Sequence, residues 1–123
     1  MVKHPPHRLL LVEDHPATRN VLRRLLTMRG WDVLEATTIA EGLARLDPPP
    51  ECLVLDLMLP DGDGETILRK VRDDCLPTRV VVNTGTHDPD RLSAVSELKP
   101  EALLQKPIDI EQLCQVCEVP TTP

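Results

Sequence analysis

Residues 52–56 read CLVLD, a run of apolar residues that ends in a carboxylate. A short apolar run of this kind is typical of a strand that is buried on both faces of a parallel sheet. Residues 8–13 (RLLLVE), 79–83 (RVVVN) and 102–105 (ALLQ) have the same character, and residues 31–36 (WDVLEA) complete a set of five predicted strands. These runs predict a parallel sheet as the core of the chain.

A helix is predicted after each of the five strands. Apolar residues recur at helical spacing between residues 21 and 28, and Gly30 follows as a stop. Thr38 and Glu41 have the spacing of a capping box at the start of the second helix. The remaining helices are predicted over residues 64–73, from Asp88 onward, and from Asp109 to residue 118, with a loop at residues 57–63.

The alternation of strands and helices predicts the α/β class, with a parallel sheet between two layers of helices. We expect a three-layer (βα)5 doubly wound fold of the flavodoxin-like type, with a five-stranded parallel sheet in the order 2-1-3-4-5. Residues 8–118 form the one predicted domain, between an N-terminal tail at residues 1–7 and a C-terminal tail at residues 119–123.

The composition argues against several classes of protein. The formal net charge of −6 is unfavourable for direct nucleic-acid binding, which usually requires a basic surface. The chain has no apolar stretch of about 18 residues and no apolar signal region, so we expect a cytoplasmic protein without membrane contact. A single CxxC at Cys114 and Cys117 lacks a second ligand pair, which indicates ordinary reduced thiols rather than a zinc site.

Charged and polar residues stand where the predicted strands end. Glu13 and Asp14 follow the first strand, and Asp56 ends the third. Thr84 and Gly85 follow the fourth strand, and Lys106 follows the fifth. In a doubly wound sheet the carboxyl ends of the strands surround one crevice, so these side chains are expected to converge.

The chemistry of this group is that of phosphoryl transfer. Three converging carboxylates repel one another and require a cation, and oxygen ligands with room for water suit Mg²⁺. A lysine and a hydroxyl add positive charge and a hydrogen-bond donor, which is what neutralisation of a transferring phosphoryl group requires. Asp56 would be the nucleophile and would form an acyl phosphate.

Four segments, LLLVEDHP, LVLDLMLPDGDG, VVVNTGT and LLQKP, occur in this order and each contains one predicted strand end. Together they resemble the receiver domains of bacterial two-component response regulators, including the single-domain chemotaxis type, over residues 8–118. The resemblance implies that Asp56 accepts a phosphoryl group from the phosphohistidine of a sensor kinase or phosphotransfer protein. It also implies a signalling protein rather than an enzyme, which catalyses at most its own phosphorylation and dephosphorylation and switches the binding of a downstream effector.

The resemblance assigns further roles. Mg²⁺, or Mn²⁺ in its place, would be held by Asp14, Asp56, the backbone carbonyl of Met58, and Glu13 through water. Thr84, Gly85 and Lys106 would bind the phosphoryl group, and the peptide bond to Pro107 would be cis. Met58 and Thr86 would tune the lifetime of the phosphoryl group. The kinase would dock on Thr18, Val21 and Leu22, although core packing is an alternative role for the last two. A homodimer on phosphorylation is a further expectation.

One departure from the family pattern concerns the switch. Many members carry Tyr or Phe three residues before the lysine, and this chain has Leu103 there, so the usual coupling of Thr84 to the fourth helix is in question.

Other functions are weighed against the resemblance. The chain could be a receiver cut from a hybrid kinase or a longer regulator, or a receiver that is not phosphorylated, although its start at Met1 fits a free-standing protein. A haloacid-dehalogenase-type phosphatase would need a second acid where Met58 stands. A flavodoxin-like electron carrier would place a phosphate beside Glu13 and Asp14, whose charges would repel it. A calcium loop starting at Asp61 fails because its sixth position is Thr66 rather than glycine.

Overall fold

A computed structural model describes residues 7–118 of the chain, and strands alternate with helices throughout this range. The strands of the main sheet are β1 (His7–Val12), β2 (Trp31–Ala36), β3 (Cys52–Leu55), β4 (Arg79–Thr84) and β5 (Ala102–Gln105). The helices are α1 (Pro16–Met28), α2 (Ile39–Ala44), α3 (Glu65–Asp73), α4 (Pro89–Glu97) and α5 (Ile110–Val116).

The five strands form one parallel sheet in the order β2-β1-β3-β4-β5, which confirms the predicted fold and strand order. Alternate residues of the strands enter two separate cores. On one face they form a core with α2, α3 and α4, which includes Leu55 and Ile67. On the other face they form a core with α1 and α5, which includes Val54 and Leu22. The third strand, the most apolar, therefore lies at the centre of a three-layer molecule.

Side chains cap four of the five helices at their first turn. The capping box predicted for α2 forms in a modified way. Thr38 accepts a hydrogen bond from the backbone N–H of Glu41 at 3.1 Å. Glu41, however, accepts from the backbone N–H and the hydroxyl of Thr37, one residue before the cap, at 3.0 and 2.6 Å. The carboxylate of Asp61 also accepts from the N–H of Ile39 at 2.8 Å, so the start of α2 is fixed from two directions.

Two arginines attach α4 to its neighbours at opposite ends of the helix. Arg91, in the first half of α4, forms an ion pair with Asp63 at 2.8 Å. Its guanidinium also donates to the carbonyl of Leu57 at 3.4 Å. At the other end, Arg72 of α3 donates to the carbonyls of Leu98 and Lys99 at 2.8 and 2.7 Å. The carbonyl of Leu98, the C-cap of α4, is one of the groups that a helix leaves unsatisfied at its C-terminus, and Lys99 is the next residue.

Several local boundaries differ from the prediction. The predicted loop at residues 57–63 contains a two-residue antiparallel ladder, in which Met58–Leu59 pairs with Gly62–Asp63. Strand β1 begins at His7 rather than at residue 8, and α5 ends at Val116 rather than at residue 118. Apart from His7, the predicted tails lie outside the described residues. The ladder escaped prediction because its strands are only two residues long.

The four cysteines are free thiols in the structure, and three of them are buried. No helix among residues 7–118 is both long and apolar enough to cross a membrane.

Candidate functional site

A cavity of about 600 Å³ opens at the carboxyl ends of the strands, where the predicted polar residues were expected to converge. Its floor is the end of the central strand β3, and its walls come from the loops after β1, β3, β4 and β5. The lining residues are Glu13, Asp14, His15, Thr18, Asp56, Met58, Leu59, Pro60, Gly85 and Lys106.

Asp56 directly follows β3 and is only 4% exposed. Its backbone N–H donates to the carbonyl of Val12 at 3.0 Å, which extends the pairing of β3 with β1 by one residue. The two carboxylate oxygens have different partners: Oδ1 accepts from the N–H of Met58 at 3.1 Å, and Oδ2 accepts from Nζ of Lys106 at 3.1 Å. The carboxylate is therefore fixed in rotation and held at the bottom of the cavity.

Lys106 reaches Asp56 from the far side of β4. Its backbone N–H donates to the carbonyl of Thr84 at 2.8 Å, which anchors the start of the side chain at the sheet edge. Its alkyl stem then crosses the end of β4, where Cδ lies 3.9 Å from the position that a Cβ on Gly85 would occupy. The ammonium group ends between two buried acids, 3.1 Å from Oε1 of Glu13 and 3.1 Å from Oδ2 of Asp56.

The electrostatics of this group are unbalanced. Burial raises the pKa of Glu13, the charge of Asp56 raises it further, and hydrogen bonds from His15 and Lys106 offset only part of the shift. Desolvation alone would lower the pKa of Lys106, but hydrogen bonds and charge attraction from Asp56 and Glu13 outweigh it, so this pKa is raised. Lys106 is thus held as a cation, while the acids around it still repel one another.

A divalent cation would correct this imbalance. Glu13, Asp14 and Asp56 each offer one carboxylate oxygen, and these oxygens lie within 4.8 Å of one another. Three carboxylates and one ammonium leave two negative charges uncompensated. Asp14 is exposed, so water can complete a coordination shell, and Mg²⁺ characteristically keeps several waters beside one or two carboxylates. The donor set therefore fits Mg²⁺.

The structure does not bring every predicted residue into the cavity. Thr84 is fully buried and does not line it; its hydroxyl accepts a hydrogen bond from the N–H of Thr86 at 3.1 Å. The hydroxyl of Thr86 in turn accepts from the N–H of Asp88 at 3.2 Å. Thr84, the last residue of β4, and Thr86, in the connection that follows, thus form a chain of hydrogen bonds that leads to the start of α4. The Lys106–Pro107 peptide bond, which was expected to be cis, is cis, as is Asp47–Pro48.

The three residues predicted to dock a kinase occupy different environments. Thr18 lines the cavity, and Val21 is 48% exposed on the outer face of α1. Leu22 is 2% exposed and packs in the core beneath α1, which is the alternative role weighed for it. Helical spacing alone could not distinguish the two faces because both carry apolar residues.

Two residues near the cavity went unnoticed in the sequence. Arg19 contacts the loop that carries Glu13 and Asp14, and its position one helical turn after His15 was the available signal. Asn83 of β4 lies opposite Leu104 of β5, in the row of residues across the sheet that continues toward Asp56. Its buried Oδ1 has no hydrogen-bond partner among the described residues. A single asparagine in the run VVVNT was its signal.

Comparisons with known proteins agree with this geometry. The family model described as the response regulator receiver domain matches residues 9–118. The transcriptional regulatory protein TrcR of Mycobacterium tuberculosis is 38% identical over 110 residues, which cover 88% of this chain and 42% of TrcR. The KDP operon transcriptional regulatory protein KdpE of Escherichia coli is 34% identical over 85% of this chain and 47% of KdpE. The chain thus spans about half the length of these curated relatives.

Solved structures agree in fold. A CheY-like response regulator receiver domain protein from Methanospirillum hungatei superposes with a TM-score of 0.84 at 24% identity, over 90% of this chain and 90% of the other.

Proposed function

Because this chain belongs to the response regulator receiver domain family, we propose that it accepts a phosphoryl group on Asp56 from the phosphohistidine of a sensor kinase or phosphotransfer protein. The observation that carries the proposal is the environment of Asp56. A buried carboxylate stands at the centre of the sheet edge, with two further acids and one lysine within reach. Such a group is well arranged for nucleophilic attack supported by charge neutralisation.

In the proposed step, a carboxylate oxygen of Asp56 forms a bond to phosphorus while the phosphorus–nitrogen bond of the phosphohistidine breaks. Bound Mg²⁺ would neutralise the phosphoryl oxygens, held by Asp14, Asp56, the carbonyl of Met58, and Glu13 through water. The N–H of Met58 fixes the rotation of the Asp56 carboxylate. Lys106, already held as a cation beside Asp56, exchanges its carboxylate partner for the incoming phosphoryl oxygens.

The proposed switch involves the connection between β4 and α4. Thr84 would exchange its hydrogen bond with Thr86 for one to the phosphoryl group, and Gly85 leaves room beside the Lys106 stem for this movement. Leu103 is half-buried against the α2–α3–α4 core and offers no aromatic ring that could follow Thr84. The change in the hydrogen bonds of Thr84 would reach α4 through backbone contacts of the segment that joins β4 to α4. It would alter the binding of an effector or of a second copy of the chain.

The remaining assignments belong to the same proposal. Met58 is 55% exposed at the rim of the cavity, and this position supports a role in water access and phosphoryl lifetime. Thr86 would act on lifetime through its contact with Thr84. Val21 and Thr18 remain the predicted kinase contacts, in a cytoplasmic protein. A free-standing receiver and a receiver within a longer regulator or hybrid kinase share this chemistry, because the site lies within the matched residues 9–118.

The proposal is tested by intact mass spectrometry after incubation with acetyl phosphate. We expect a single phosphoryl adduct on the wild-type protein in the presence of Mg²⁺, and none with EDTA or on Asp56→Asn. Asp61→Asn is the matched control, because Asp61 is an acid of the following loop that caps α2 rather than joining the acidic cluster. An adduct that persists on Asp56→Asn, or a wild-type protein that neither binds Mg²⁺ nor forms an adduct, would contradict the proposal.

A further inference from the structure

Arg19 lies in the second turn of α1, and its guanidinium folds back over the loop that joins β1 to α1. Nη1 donates to the backbone carbonyl of Glu13 at 3.3 Å and to that of Asp14 at 3.4 Å. These two residues carry acidic side chains that, by the proposed function, hold Mg²⁺. One nitrogen atom therefore contacts the main chain of both.

The guanidinium is itself held from the opposite side. Its Nε lies 3.4 Å from Oε1 of Glu35, a residue of β2 that pairs with Leu11 of β1. Arg23, one helical turn later, lies 3.5 Å from the same oxygen, but within residues 7–118 it forms no hydrogen bond to the acidic loop. The Arg19 side chain is 20% exposed and that of Arg23 is 42% exposed. Arg19 thus bridges β2 and the loop, whereas Arg23 only neutralises Glu35.

The loop has few other attachments near its acids. The N–H of Glu13 donates to the carbonyl of Ala36 at 3.0 Å, which fixes the beginning of the loop. The N–H of His15 donates to Oε2 of Glu13 at 3.2 Å, which orients one carboxylate. The second contact also restrains the peptide group between Asp14 and His15, because the N–H of His15 and the carbonyl of Asp14 belong to it. Neither contact restrains the peptide group between Glu13 and Asp14, which carries the carbonyl of Glu13. Asp14 is exposed, so no packing holds its backbone in place.

We propose that Arg19 is a positioning residue for the metal site: it holds the carbonyls of Glu13 and Asp14 toward α1 and so presents their carboxylates to the cavity. The inference rests on the proposed function, because it assumes that these acids bind Mg²⁺. Groups that orient metal ligands from outside the coordination shell commonly change metal affinity by tenfold or more when removed.

The direction in which Mg²⁺ affinity changes when Arg19 is replaced shows whether this residue acts by positioning the ligands or by its charge. Arg19 is a cation close to a site for another cation, so its charge alone opposes Mg²⁺ binding. If Arg19 acted only through charge or through the stability of α1, its replacement by a neutral residue would leave Mg²⁺ affinity unchanged or increase it. If Arg19 positions the ligands, the same replacement lowers the affinity. The two explanations therefore predict opposite changes.

The test is isothermal titration of the full chain with MgCl₂, using wild type, Arg19→Gln, Arg19→Lys and the matched control Arg23→Gln. We expect Arg19→Gln to weaken Mg²⁺ binding by about three- to tenfold. This loss is smaller than is usual when a group that orients a metal ligand is removed, because the two hydrogen bonds of Arg19 are long, at 3.3–3.4 Å. Arg23→Gln is expected to stay within twofold of wild type or to bind slightly more tightly. Arg19→Lys, which keeps the charge but cannot bridge Glu35 and both carbonyls, should bind less tightly than wild type.

Thermal unfolding of each variant without metal accompanies the titration, so that loss of folded protein is not mistaken for loss of affinity. Equal or tighter binding by folded Arg19→Gln would overturn the inference while leaving the proposed function intact. If Arg19→Gln unfolds, Arg19→Lys decides the question, and wild-type affinity in that variant would overturn the inference. Absence of Mg²⁺ binding by the wild-type protein would instead overturn the proposed metal site.

Discussion

Replacing Asp56 by asparagine should stabilise the metal-free protein, although Asp56 is the centre of the proposed site. The variant removes one of three carboxylates whose oxygens lie within 4.8 Å of one another. It also removes an ion pair with Lys106 at 3.1 Å. The new amide can still accept the hydrogen bond from the N–H of Met58, so the backbone geometry of the loop is retained.

The magnitude follows from these separations. At an effective dielectric constant of about 20, two like charges within 4.8 Å of one another repel by at least about 3.5 kcal/mol, and an ion pair at 3.1 Å attracts by about 5 kcal/mol. Asp56 takes part in two such repulsions and one such attraction. Water screens the exposed Asp14 and so weakens its repulsion of Asp56. The variant, however, also removes the cost of burying the Asp56 charge, since this residue is only 4% exposed. We expect the free energy of unfolding to rise by about 1–2 kcal/mol.

The assay is urea unfolding in EDTA, followed by the fluorescence of Trp31, which is the single tryptophan and is 4% exposed in the folded state. A gain of this size moves the midpoint upward by about 0.5–1 M urea. Asp32→Asn, which neutralises an exposed acid of β2, is the control and should leave the midpoint unchanged. Saturating Mg²⁺ should stabilise the wild type, by about 1.4 kcal/mol at ten times the dissociation constant, but hardly stabilise Asp56→Asn.

The electrostatic reasoning is refuted if Asp56→Asn unfolds at or below the wild-type midpoint in EDTA. That result would mean that the attraction between Lys106 and Asp56 outweighs the repulsion among the acids.

Three further predictions concern single contacts. Asn83→Val should raise the free energy of unfolding by about 1 kcal/mol, because it removes a buried oxygen that has no hydrogen-bond partner among the described residues; a lower urea midpoint would contradict this. Gly64→Ala should lower it by about 1–3 kcal/mol, because the new Cβ would lie 2.2 Å from the carbonyl oxygen of Asp56. The control Gly85→Ala should not lower it, because a Cβ there would lie at an ordinary van der Waals distance, 3.9 Å, from Cδ of Lys106. Hydrogen bonds from Thr37 hold the pKa of Glu41 below its ordinary 4.5, so this group stabilises the fold above that pH and loses its contribution as pH falls through the lowered pKa. Glu41→Gln should flatten the dependence of thermal stability on pH below about 4.5, and an unchanged profile would argue against this role.

The sheet was predictable because its strands are short, apolar and separated by helical patterns. Each buried strand excludes polar residues on both faces, so CLVLD and RLLLVE carry a strong signal in composition alone. The polar residues that end these strands were predictable for the same reason, since parallel strands place their carboxyl ends at one edge. Glu13, Asp56 and Lys106 accordingly meet where the pattern placed them.

The rest depends on contacts that local pattern does not contain. Whether Leu22 or Val21 faces the core depends on how α1 is rotated against the sheet, and both are apolar. The orientation of Thr84 depends on a hydrogen bond with Thr86 two residues later. The guanidinium of Arg19 finds its partners through a helix turn and a neighbouring strand at once. Apolar and charged residues occur at many positions that make no such contact. Residue type alone therefore does not reveal these contacts.

The unequal attachments of α4 determine how this helix can move. At its C-terminal end Arg72 binds two successive carbonyls with hydrogen bonds of 2.8 and 2.7 Å, while near its N-terminal end Arg91 binds Asp63 on a partly exposed surface. Exposed ion pairs are weak and exchange readily with water. We therefore expect that loss of the ion pair between Arg91 and Asp63 would let the first turn of α4 move away from Leu57, while the hydrogen bonds of Arg72 keep its last turn in place. Such a movement would be a rotation about the C-terminal end of α4, and its amplitude would be largest beside the loop that follows Asp56.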